Sequence, residues 1–174
     1  MFRVLTVIVL PTALLIAAIV PTSWANPPRS PVPVHSAAPA PTPVPTPTQE
    51  ENKTAILQVI KAQQIAWNHG DIETFMDSYW RSRDTVFVSG DDVTRGWQTV
   101  HDRYRAKYSD RKKMGQLTFS ELEVHLFGYD GALVFGRWQL DREKDNPHGR
   151  FTLIFRDTPD GWKIVHDHTS QAVE

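Results

Sequence analysis

Near the end of the chain, His166-Asp167-His168 sets a carboxyl group between two imidazoles in a stretch that reads as a β-strand. Strand alternation sends the two histidines to one side and Asp167 to the other. An imidazole titrates close to neutrality, and a carboxyl group in apolar company is pushed toward that range. His166 and Asp167 are therefore the candidate catalytic residues, each suited to proton transfer. Asp167 serves as a base only if it faces Phe151 and Leu153 of the preceding strand; otherwise it is an exposed acid, or a partner for Arg137. The histidines have the bland alternative of a structural role in the sheet or at a subunit interface. A His-x-His pair can also hold a metal, with His125 as a third ligand. No cysteine and no carboxylate of suitable spacing completes such a set, so no metal and no cofactor is assigned.

The ligand-binding candidates are Arg137, His166, His168, Tyr79, Tyr104 and Thr152. Arg137 interrupts the apolar run from Ala132 to Leu140, where a charge needs a partner. Tyr79 and Tyr104 offer hydroxyl donors from helices, although an inward tyrosine is also ordinary core. A final hairpin turning through residues 157–161 sets Arg156 opposite Trp162, Thr152 opposite His166 and Arg150 opposite His168. On that register Trp162, Ile164, His166, His168 and Ser170 share one side. Apolar residues lie on both sides, so the pattern leaves open which one lines a cavity.

The elements that carry these residues follow from periodicity. Thr48-Gln49-Glu50-Glu51 is a capping box, and Ile56, Val59, Ile60, Gln63 and Trp67 recur at helical spacing up to Gly70. Asp71 caps a second helix with Ile72, Phe75, Met76 and Tyr79 inward. Thr85 to Ser89 is a short β-rich run, and a third helix starts near Trp97 with Val100, Tyr104 and Tyr108 on one side. After Gly115 the period becomes two. Strands are expected over 117–127, 132–140, 150–156 and 162–170, joined by turns at Gly128-Tyr129-Asp130-Gly131 and Thr158-Pro159-Asp160-Gly161. The apolar phase of the first long strand changes near Ser120-Glu121, which predicts a bulge that curls the sheet. Helices first and an antiparallel meander afterwards give an α+β class, with three helices packed on a strongly curved sheet.

Asn68-His69-Gly70-Asp71-Ile72-Glu73-Thr74-Phe75-Met76, Gly136-Arg137-Trp138 and, above all, Asp160-Gly161-Trp162-Lys163-Ile164-Val165-His166-Asp167-His168-Thr169-Ser170 resemble the SnoaL-like branch of the nuclear transport factor 2-like superfamily. The closing segment is also similar to that of the association domain of calcium/calmodulin-dependent protein kinase II. The resemblance spans nearly all of residues 50–174. It implies a cone-shaped, cystatin-like roll with a pocket between helices and sheet. Members include isomerases, cyclases, dehydratases and oligomerisation hubs, so the fold does not by itself assign chemistry. In the hub branch an arginine near Arg137 contributes to a basic pocket, while Thr152 stands where a second arginine would be.

Arg3, the apolar run from Val4 to Val20 and the Ser23-Trp24-Ala25 pattern read as an export signal over residues 1–25. Residues 26–48 hold nine of the 13 prolines and read as an extended, disordered tether. Residues 49–174 form the domain. The 19 basic and 20 acidic residues are nearly balanced and scattered, which gives no footprint for nucleic acid. There is no cysteine, hence no disulfide framework or catalytic thiol. No glycine-rich phosphate loop or nucleophile elbow is present. The reading is an exported, periplasmic or secreted pocket domain, with no membrane span once the signal is removed. It binds a small apolar or weakly anionic molecule without assigned catalysis and pairs as a homodimer through its sheet. The alternatives are an isomerase- or cyclase-like enzyme working through His or Asp, and an interaction module with a vestigial pocket.

Overall fold

The computed structural model describes residues 46–172. The expected export signal and nearly all of the proline-rich segment lie outside the described residues. Helix α1, Gln49–His69, begins at Thr48, whose side chain accepts from the Glu51 N–H while the Glu51 carboxylate accepts from the Thr48 backbone, the expected capping box. It ends at Gly70, which adopts a left-handed conformation (φ 81°) that a side chain would resist. Helix α2, Ile72–Met76, is capped by Asp71. Two short strands, β1 (Val86–Ser89) and β2 (Asp92–Arg95), lead into α3, Trp97–Lys107, and the single turn α4, Arg111–Met114. Four long strands follow: β3 (Gln116–Phe127), β4 (Gly131–Asp141), β5 (His148–Thr158) and β6 (Gly161–Thr169).

The strands form one sheet in the order β2-β1-β6-β5-β4-β3. The meander from β3 to β6 is antiparallel, as expected. The sequence reading missed β2 and α4, and it missed that β1 pairs in parallel with β6, Val86 opposite His166 and Val88 opposite His168. Both missed elements are four residues long, too short for a period to show.

Two bulges shape the sheet. In β3 the register with β4 shifts between Ser120 and Glu123, and Glu121 takes φ 52°. This is the expected irregularity. It returns Leu122, Val124 and Leu126 to the helix-facing side, where they pack against the core. The second bulge lies in β6 and was not foreseen. Phe155 pairs with Ile164, yet Ile154 pairs with His166, so Val165 is an extra residue. Below it, the hairpin closes on Thr158 and Gly161, with Asp157 opposite Trp162. The expected register is thereby corrected throughout: Arg156 faces Lys163, and Thr152 faces His168 rather than His166.

The core fills the space between the helices and the concave side of the sheet. Ile56, Ile60 and Trp67 of α1, Phe75 and Met76 of α2 and Val100 of α3 meet Val134, Phe151, Leu153, Phe155 and Ile164. Helix α1 is also pinned to the sheet edge by polar groups. The Asn68 side chain donates to the Leu117 carbonyl (2.9 Å) and accepts from its N–H (2.7 Å), and Gln64 Oε1 accepts from the Phe119 N–H. These side chains satisfy backbone groups that an edge strand would otherwise leave open.

Candidate functional site

The Val165 bulge decides which residues of β6 enter the interior. Below it, Trp162 and Ile164 are buried. The extra residue reverses the alternation, so Asp167 and Thr169 continue the concave side and His166 and His168 turn outward. Asp167 is 4% exposed. It pairs in the sheet with Leu153, and the concave side around it holds the aromatic rings of Phe151 and Phe87.

Tyr79 reaches Asp167 because backbone bonds fasten the segment after α2 to β6. The Ile164 N–H donates to the Ser78 carbonyl and the Trp80 N–H to the Ile164 carbonyl, both bracketing Tyr79. The Tyr79 hydroxyl donates to Asp167 Oδ2 at 2.6 Å, and the Thr169 hydroxyl to Oδ1 at 2.7 Å. The Tyr104 hydroxyl, from α3, lies 3.4 Å from that of Tyr79. Each carboxylate oxygen keeps a lone pair beyond the one engaged.

Burial dominates the electrostatics. It pushes the Asp167 carboxyl up from 3.8 to about 6, against the lowering effect of the Tyr79 and Thr169 hydroxyls and of His168. Burial, and then the Asp167 charge, hold the Tyr79 and Tyr104 hydroxyls well above their usual range. Both tyrosines therefore remain neutral donors at any physiological pH, beside an acid that titrates near it.

The Asp167 group opens on a cavity of about 160 Å³. Trp67, Phe75 and Tyr104 make one wall, in edge-on and tilted contacts with centroids 5.1 to 6.2 Å apart. Phe119 and Phe151, 5.3 Å apart, make the opposite wall with Trp138. Gln63 is 3% exposed, lines the cavity and makes no side-chain hydrogen bond among the described residues. Arg103, Lys107 and Arg142 also line it.

Of the residues singled out in the sequence, Tyr79, Tyr104 and Asp167 converge here. Arg137, Thr152, His166 and His168 do not line this cavity. Arg137 stands opposite Arg150 on the convex side of the sheet, among Leu133, Phe135 and Ile154. His166 is half-buried there, and burial, with His168 and Arg95 nearby, lowers its pKa. His125 is exposed on β3 beside Glu123 (3.6 Å). Among the described residues no group of three or more His, Cys, Asp or Glu side chains is placed to hold a metal ion. The sequence reading passed over Gln63 as a core position and did not consider Arg103, Lys107 and Arg142. The available signal was the interleaving of Arg103 and Lys107 with Tyr104 and Tyr108 along α3 and its C-cap, which puts cations and rings on neighbouring faces.

Residues 56–174 match the family model described as a SnoaL-like domain. A structure of a nuclear transport factor 2-like protein of unknown function from Shewanella oneidensis is 35% identical, covers 68% of this chain and 98% of its own, and superposes with a TM-score of 0.65. A putative dehydratase of the same superfamily from Streptomyces avermitilis is 22% identical, covering 73% of this chain and 100% of its own, with a TM-score of 0.63. A superfamily protein from Salmonella enterica is 19% identical over 73% of this chain and 95% of its own, with a TM-score of 0.61. No curated protein matches the chain. These findings support the superfamily without resolving the kinase association-domain branch. With a bent sheet, three main helices and a pocket between them, this chain belongs to the SnoaL-like domain family of the nuclear transport factor 2-like superfamily.

Proposed function

We propose that this protein, whose ligand-binding fold includes some enzymes among its members, is an acid–base enzyme acting on a small, largely apolar molecule. The carrying observation is the buried Asp167 carboxyl, hydrogen-bonded to Tyr79 and Thr169 at the floor of an aromatic cavity. An open pocket that pairs an acid with hydroxyl donors favours catalysis over passive binding, the reverse of the ranking that sequence alone suggested.

The chemistry that suits these groups is proton removal beside a carbonyl. Ionised Asp167 takes a proton from carbon, the C–H pair moves toward the carbonyl oxygen, and a tyrosine hydroxyl donates to the charge that develops there. Returning the same proton to a different carbon completes an isomerisation and regenerates the carboxylate. Tyr104 is the freer donor, since the Tyr79 hydroxyl is committed to Asp167. A group titrating near 6 is well matched to this work, because it is ionised at neutral pH yet basic enough to accept the proton.

A simple probe is cyclohex-3-enone, whose conversion to the conjugated ketone is followed by ultraviolet absorbance. The rate should rise as pH passes through about 6 and fall by about 100-fold or more in Asp167→Asn. A wild-type rate no higher than that of Asp167→Asn would remove proton transfer and leave a binding protein.

Two further expectations belong to this reading. Export to the periplasm or beyond rests on the leader pattern over residues 1–25 and the proline-rich tether. Homodimerisation rests on the convex side of the sheet, where Val86, Val88, Leu133, Phe135 and Ile154 are half-buried with no helix of the described residues above them.

A further inference from the structure

Three cations line the cavity and have no part in the proposed proton transfer. Arg103 and Lys107 are one turn apart on α3, and Arg142 follows β4. None pairs with Asp167. The Arg103 guanidinium lies over the Phe87 ring (5.4 Å to the centroid), and both of its Nη groups donate to the exposed Asp92 Oδ2 at 3.4 Å. Arg142 is fixed by donating from Nη1 to the Lys113 carbonyl at 3.1 Å. Its Nε is buried and makes no hydrogen bond, since Asp145 Oδ1, although 2.9 Å away, is out of line with the N–H. The Lys107 ammonium lies 5.4 Å from the Tyr108 ring and has no carboxylate partner among the described residues. The ammonium is only partly buried; that partial burial, and then Arg103 and Arg142, lower its pKa. Arg103 and Arg142 each have one exposed acid beside them, Asp92 and Asp145, and Lys107 has none, so this wall of the cavity keeps an excess positive charge that an anion would neutralise. Gln63, which lines the same cavity and makes no side-chain hydrogen bond among the described residues, adds an amide to it.

We infer that the pocket takes an amphiphilic monoanion: Arg103, Lys107 and Arg142 hold a carboxylate or similar anionic group, and the aromatic walls hold a compact apolar body. The inference rests on the reading of this cavity as a ligand site and adds the class of molecule. A volume of about 160 Å³ limits the body to roughly one ring, since an apolar cavity of about 150 Å³ takes benzene.

The test compares 3-phenylpropanoate with 3-phenylpropanamide, two probes of nearly equal shape and different charge, by calorimetric titration of the full-length protein at low salt. The carboxylate should bind about tenfold more tightly, and raising the salt to about 1 M should erase most of that difference. Lys107→Gln should weaken the carboxylate several-fold and leave the amide unchanged, while Lys107→Arg should retain the preference. Lys107 is exposed, so neither substitution disturbs the core. Equal affinity of the two probes in the wild type, or a preference untouched by Lys107→Gln, would overturn the anion site and leave the pocket reading intact. Binding of neither probe would overturn both.

Discussion

Asp167 carries its chemistry at a cost to the fold. Its carboxyl titrates near 6 when folded and near 3.8 when unfolded, so the folded state binds the proton more tightly. The resulting stabilisation is complete below the unfolded value and is lost as pH rises through the folded one. A shift of about two units amounts to about 3 kcal/mol. Asp167→Asn cannot ionise, so its stability relative to wild type should improve by about 2–3 kcal/mol between pH 4 and pH 8. Urea unfolding at the two pH values measures this, and a constant difference would show that Asp167 is not desolvated. The two tyrosines need no such tuning, because burial keeps them protonated. The types of these three residues were legible in the sequence, but their meeting was not. Tyr79, Tyr104 and Asp167 come from three separate elements, and no local spacing encodes their contact. His166 and Asp167 were equal candidates until burial separated them.

At the scale of elements, the sequence announced its boundaries well where a single residue type was required. Thr48 with Glu51, Gly70 and Asp71 each do one job that few other residues can do. Gly70→Ala should cost about 1–2 kcal/mol, since an alanine resists the left-handed conformation. Its Cβ would also meet Arg111 Cδ at 2.8 Å. Gly161 has a similar φ of 83° but open space around it, so Gly161→Ala should cost only the conformational part. Thermal unfolding of the pair separates strain from crowding, and equal losses would show that Arg111 simply moves aside. The bulges mark the limit of pattern reading. The one in β3 showed as a change of apolar phase, because Phe119 and Leu122 are an odd number of residues apart. The one at Val165 was silent. Ile164, Val165 and the polar residues after them fit either side of the sheet, and only pairing with Phe155 and Ile154 decides between them. That single residue determines whether the histidines or the carboxyl group enters the cavity.

For the whole molecule, the helices cover one side of the sheet and leave the other to be explained. The convex side carries Leu133, Phe135 and Ile154 with Arg137, His166 and His168. The polar residues that the sequence offered as a ligand site thus lie among apolar neighbours on the side proposed for self-association. Sedimentation at micromolar concentration should show a dimer, and Ile154→Glu should yield a folded monomer by placing a charge at the centre of the contact. A wild-type monomer would exclude this surface as a stable interface. Separating the two sides also gives each a distinct signature, so Ile154→Glu should leave the Asp167 titration where it is. A fold class of helices on a curved sheet was recoverable from periodicity because it depends on many residues at once. The site depends on one inserted residue and on long-range contacts that periodicity does not carry.

The central claim is that Asp167 is a buried acid held at the floor of the pocket and poised to exchange a proton. Carbon-13 NMR of the aspartate side-chain carboxyls across pH 3–8, with the Asp167 resonance assigned by its loss in Asp167→Asn, tests that claim directly. The expected midpoint is about 6, moving further upward when a neutral apolar ligand fills the cavity and excludes water. A midpoint near 3.8, the value of a solvated aspartate, would contradict it.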